Sequence, residues 1–211
     1  MKGREINWRR MLTILAVAGG LTLLAGLGAL DRPDRAASDA LYQQTDAFDG
    51  DIVVVGIDQR ALEEIGPYDQ WGRDVMAQVL EALNQSEDCR PAVIGLDVLY
   101  AGETDAAQDA WLAEAAGEYG NVVTACAVGF GSELVPDGAG DYALNAEAVV
   151  AFEDAYPGLR AATGRAHINA MMDTDGILRH HMLTLRLPDG EEIPSLALEA
   201  ARRYRAYWGE E

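Results

Sequence analysis

Hydrophobic and polar positions divide this chain into one long uncharged stretch, three short continuous apolar runs, and several stretches with apolar residues three and four apart. From Met11 to Leu30 no residue carries a charge, about 30 Å of helix and the hydrocarbon thickness of a bilayer. Arg35 to Gln44 predicts a short helix with Ala36, Ala40 and Leu41 on its apolar face, expected to continue the membrane helix outward. Phe48-Asp49-Gly50 then leads into the first apolar run, Asp51-Ile-Val-Val-Val-Gly-Ile-Asp58. Pro91-Ala-Val-Ile-Gly-Leu-Asp97 and Asn121-Val-Val-Thr-Ala-Cys-Ala-Val128 repeat the design, that of strands covered on both faces.

Between these runs, Arg73 to Asn84 places Val75, Met76, Val79, Leu80 and Leu83 at helical spacing, and Thr104 to Tyr119 forms an Ala-rich helix. The fold class that follows is α/β, a largely parallel βαβαβ sheet with right-handed crossovers. Gly129 to Gly140, with four glycines and a proline, predicts a loop before a helix around Asn145 to Asp154. Arg165 to Met172 and Ile177 to Leu187 predict a C-terminal β-hairpin about the turn Asp173-Thr-Asp-Gly176. Pro188-Asp-Gly190 supplies another turn, and Ser195 is expected to cap a last helix carrying Ala197, Leu198, Ala201 and Tyr204.

Charge adds the topology. Four of the 16 Lys/Arg (Lys2, Arg4, Arg9, Arg10) and one of the 35 Asp/Glu (Glu5) precede the apolar stretch, leaving a net charge near −22 beyond it. By the positive-inside rule residues 1–10 are cytoplasmic, 11–30 span the membrane, 31–50 are a membrane-proximal helix and linker, and 51–211 form one extracytoplasmic domain. The span is longer than the 7–15 apolar residues usual in a cleaved signal. So acidic a domain repels phosphate backbones and anionic headgroups, which argues against nucleic acid as partner. Ala18, Thr22 and Gly26 form a small-residue strip on which a second copy could pack. An oxidising compartment would permit a bridge between Cys89 and Cys126, although the two are expected on different elements and the Cα spacing is strict.

If the apolar runs are parallel strands, Asp58 and Asp97 end them at one edge, where open α/β sheets bind ligands. Such a carboxylate pair would serve acid/base work or hold a hard cation; the alternative duty of each is to cap a helix or accept loop amides. A metal-dependent hydrolase using Asp58, Asp97 and Asp175 is the corresponding enzyme reading, but the three lack a recognised ligand spacing. Asp173-Thr-Asp-Gly176 has its Gly fourth and Thr184 twelfth, unlike a calcium loop. His180 and His181 are adjacent and would point to opposite faces of a strand, and His167 fits packing better than ligation. Hydrolase, protease, nucleotide-loop and dinucleotide signatures are absent, so no catalytic centre and no cofactor is expected.

Several segments taken in order carry a resemblance: Asp39-Ala-Leu-Tyr42, Ile52 to Asp58, Ile65-Gly66, Trp71-Gly-Arg73, Ile94-Gly-Leu-Asp-Val-Leu-Tyr100, Gly164 through Asn169, and Asp173-Thr-Asp-Gly-Ile-Leu-Arg179. Together they resemble the type 2 CHASE domain, the extracellular sensory domain associated with cyclases and histidine kinases. The resemblance implies a non-catalytic sensor that relays an unidentified small-molecule or protein stimulus through its membrane helix to a cytoplasmic output, with further strands and membrane spans after Glu211. The expected ligand-binding set is Asp58, Arg73, Asp97, Asn169, Asp175 and Arg179. The chain reads Tyr68-Asp-Gln-Trp71-Gly-Arg73 where the family has a Trp-Pro-Trp-like stretch before its Arg. The retained Arg73 is expected to bind an anion or to pair with Asp58 or Asp97. A protein-interaction module is the alternative.

Overall fold

The computed structural model describes residues 8–29, 31–42, 50–136, 142–173 and 176–209. Two compact units divide the chain, 1–55 and 56–211. In the first, α1 (Trp8–Gly26) is an apolar helix of 19 residues with no buried residue. The Thr13 and Thr22 hydroxyls bond back to the carbonyls of Arg9 and Ala18, both at 2.9 Å, so neither needs water. α1 does not run on into α2 (Asp31–Tyr42), contrary to the sequence expectation. The Gly28 N–H bonds to the Ala25 carbonyl and the Ala29 N–H to that of Leu24, with Gly28 at φ 67°, a Schellman stop that glycine takes without strain.

In the second unit the sheet is built on β2 (Val122–Pro136). Its first half lies between β1 (Ile94–Leu96) and β4 (Gly164–His167), both parallel to it, and its second half pairs antiparallel with β3 (Tyr142–Glu153). The sheet is therefore mixed rather than largely parallel. A small hairpin of β5 (Thr184–Arg186) and β6 (Glu192–Pro194) turns at Pro188-Asp-Gly190, where Gly190 takes φ 92°. α4 (Arg73–Asn84) and α5 (Ala106–Gly117) pack together, as do α5 and α6 (Pro157–Ala162). Ala77, Leu80, Leu112 and Leu159 from these helices bury Leu96 and Val122. Alternation along β1 turns Gly95 the other way, where Leu196 of α7 (Leu196–Tyr207) packs 3.5 Å from the point a Cβ would occupy. Ser195 caps α7, accepting the Leu198 N–H at 3.2 Å, as expected.

Four expected elements are otherwise. Residues 51–58 are in no strand, and Ile52 to Val55 are exposed, Val54 to 88%. Strand preference reflects packing on a covered sheet, and among the described residues this run pairs with no strand. The expected loop at 129–136 is strand, and the expected helix at 145–154 is its partner β3, which ends at Glu153; 137–141 lie outside the described residues. Gly129 and Gly131 make that pairing close: a Cβ on Gly129 would stand 3.1 Å from Ala151 Cβ, and one on Gly131 2.9 Å from Val150 Cγ1. Register shifts beside both are the bulges that strand glycines commonly mark. The hairpin expected across 165–187 is reduced to one bridge, Met171 to His180, because Gly164–His167 pairs parallel with β2 instead.

His167, at 1% exposure, lies in register with Cys126 and bridges to Ser195, and neither ring nitrogen has a partner. Burial, and secondarily His181, hold its imidazole below the ordinary value near 6.5. The unfolded chain thus takes up that proton first on acidification. The buried ring contributes stability above about pH 6.5 that is lost as pH falls toward its folded value. Melting temperature is expected to fall from about pH 7 to pH 5, and less steeply in His167→Leu, by circular dichroism. Leu112, fully buried between α5 and the sheet, should cost about 2–5 kcal/mol as Leu112→Ala in urea unfolding.

Candidate functional site

One buried cation organises the place where the carboxyl end of β1 meets the amino ends of α4 and α5. Arg73 opens α4 after Gly72, an N-cap with no side chain. A Cβ at Gly72 would stand 2.2 Å from Oδ1 of Asp74 and 2.4 Å from Oε1 of Gln108. Glycine therefore makes room for the Asp74 carboxylate and for the Gln108 amide, whose Oε1 accepts the Arg73 N–H at 3.1 Å.

The Arg73 guanidinium donates to Oδ1 of Asp109 at 2.5 Å and to the Gly102 carbonyl at 2.5 Å. Its Cζ lies 4.2 Å from the ring centroid of Tyr156 and 5.7 Å from that of Tyr100. Asp109 accepts the Thr104 N–H at 2.9 Å and the Thr104 hydroxyl at 3.1 Å, and the Tyr156 hydroxyl donates to the Asp109 carbonyl at 2.7 Å. Burial alone would raise the Asp109 carboxyl, but the Thr104 N–H, the Arg73 guanidinium and the Thr104 hydroxyl hold it below its ordinary value. Burial pushes both tyrosines up, so their rings stay neutral.

Arg73 also lines an open cleft of about 540 Å³. Tyr68, Asp69, Gln70 and Trp71 form one wall; Val98, Leu99 and Tyr100, just past β1, another; Thr104, Asp105 and Gln108 at the start of α5 a third. The Trp71 indole N–H donates to the Gly66 carbonyl at 2.7 Å, fixing its edge, and its ring centroid is 5.3 Å from that of Tyr68. Gly66, at φ 107°, ends the short helix α3 (Gln59–Ile65). The lining offers the rings of Tyr68, Trp71 and Tyr100, the carboxylates of Asp69 and Asp105, and the Thr104 hydroxyl.

Among the five described members of the expected ligand set, Arg73 alone lines this cleft; Asp175 lies outside the described residues. Arg73 pairs with Asp109, not with Asp58 or Asp97. Asp58 caps α3, accepting the Ala61 N–H at 2.9 Å, and with 51–58 outside the sheet no strand carries it beside the exposed Asp97. Asn169 serves the backbone: it accepts the Val128 N–H at 2.9 Å and donates to the Val128 carbonyl at 2.7 Å. Arg179 pairs with Asp173 at 2.8 Å. Cys89, exposed, and Cys126, buried in β2, are free thiols, not a bridge, and burial pushes the Cys126 thiol up to about 11. Among the described residues no three His, Cys, Asp or Glu gather as a metal site.

The sequence reading missed Asp109, Thr104, Tyr100 and Tyr156. A signal for Asp109 was present: it stands three and seven residues before Leu112 and Ala116, on the buried stripe of α5. Asp109→Asn removes the counter-charge of a buried guanidinium and should cost about 3–5 kcal/mol in urea unfolding. Asp97→Asn, at an exposed position, should stay within about 0.5 kcal/mol of the unaltered chain.

The sequence model of the CHASE2 domain family matches residues 12–211, nearly the whole chain. No curated protein and no solved structure gives a significant match.

Proposed function

The chain belongs to the CHASE2 domain family, extracellular sensory domains of signalling proteins, and we propose that it is the stimulus-binding module of such a protein, with the Tyr68–Trp71 cleft as its binding site. The observation that carries this reading is an open cleft lined by rings and carboxylates, with the charge of its buried Arg73 balanced by Asp109 behind it. Ligand sites of α/β folds commonly sit at the carboxyl ends of strands in this way. In this reading α1 anchors the chain with its basic N-terminus in the cytoplasm, and residues 51–211 lie outside. Its support is the single apolar helix near the N-terminus among the described residues, with both threonine hydroxyls satisfied internally. The stimulus biases the membrane helix only to the extent that it binds two states unequally. The Ala18, Thr22, Gly26 strip supports pairing of two copies in the bilayer.

A second reading, a protein-interaction module, is favoured by the β2–β3 ribbon, where Phe130, Leu134, Val150 and Phe152 are exposed. The two part in a thermal-shift screen of the full chain in detergent against metabolites and ions. A saturable rise in melting temperature that Trp71→Ala removes is expected of the sensory cleft. A clean melt that no compound moves, with self-association that Leu134→Asp abolishes in sedimentation, supports the interaction module.

A further inference from the structure

Resting on the sensory reading of this cleft, we propose that its ligand is a small organic cation, a primary or quaternary ammonium, held against the rings of Tyr68 and Trp71 and paired with Asp69. An anion at such a place would call on helix amino ends or a guanidinium, and the Arg73, Ala107 and Gln108 donors already have acceptors. Arg73 gives its charge to Asp109 and a further hydrogen bond to Gly102. The Ala107 and Gln108 N–H groups of α5 bond to Oδ1 of Asp105 at 3.1 and 3.0 Å. At α4 the Arg73 N–H goes to Gln108, and the Asp74 carboxylate lies against Gly72.

What remains is negative. Asp69 is exposed with no ion-pair partner among the described residues, and Asp105, also exposed, lines the cleft and takes both of its amide bonds on Oδ1. The rings of Tyr68 and Trp71 are tilted 59° to each other, so they offer two faces rather than a closed stack. Such faces attract a cation through their quadrupole, the more so in a cleft partly shielded from water. A bare metal ion fits less well: calcium takes six or more oxygen ligands, and no three-residue group of that kind exists among the described residues.

The full chain in neutral detergent is titrated calorimetrically with choline, with n-butylammonium, with neohexyl alcohol as the uncharged carbon isostere of choline, and with inorganic phosphate. Saturable binding of an ammonium is expected, roughly tenfold weaker in Asp69→Asn and in Trp71→Leu and at least roughly tenfold weaker for the alcohol. Asp69→Asn alters an exposed side chain, and an unchanged melting temperature confirms that it reads contact rather than folding. Equal binding of choline and the alcohol, preference for phosphate, or ammonium affinity unmoved by both variants overturns the proposal. If neither ammonium binds while a screened metabolite gives a melting shift that Trp71→Leu removes, the cation class is wrong and the sensory cleft stands. If no compound of any class binds, both fail.

Discussion

A guanidinium and a carboxylate buried against each other set the terms for the rest of the second unit. Removing two such charges from water costs several kcal/mol per ion, so the Arg73–Asp109 pair persists only where every remaining hydrogen-bonding group is met. That demand explains its surroundings. Gly72 leaves space for Asp74 and Gln108, Thr104 gives Asp109 two donors, Gly102 turns a carbonyl to the guanidinium, and Tyr156 lays its ring beneath it. Helices α4 and α5 and the turn before α6 are thereby tied to one point just beyond β1. The cleft inherits a stiff wall with its positive charge cancelled.

Helices were the legible part of this sequence. Arg73–Asn84 has the bounds that its apolar spacing predicts, and α7 begins where Ser195 can cap it. Strands were legible only where a neighbour covers them. Ile52 to Val55 and Ile94 to Leu96 read alike, yet one is exposed and unpaired and the other lies beside β2, because pairing is decided by residues far away in the chain. Asn145 to Glu153, rich in Ala and Glu, reads as helix until Gly129 and Gly131 are seen to admit Ala151 and Val150 across the ribbon. A contact of that kind overrides a weak local preference.

The site was half legible for a related reason. Arg73 stands on the same helix face as Ala77, Leu80 and Asn84, all buried, just as Asp109 shares a face with Leu112 and Ala116. A charge at the head of an apolar stripe announces a buried partner without naming it. Acids at apparent strand ends carry no such mark, and Asp58 is spent on a helix cap. The Asn169 amide, whose segment suggests ligand contact, reproduces a strand's own hydrogen bonds against Val128, a role a sequence segment does not display.

The stop at Gly28 has a mechanical meaning. A helix transmits twist about its axis as far as its hydrogen-bond ladder is continuous, and here the ladder closes on Leu24 and Ala25. Torque entering α2 is not handed along the backbone to α1 as it would be by a single rod. Pulling or pushing along the chain still crosses the junction, since covalent connection needs no helical register. The ladder of α1 thus ends at the Gly28 stop before that of α2 begins.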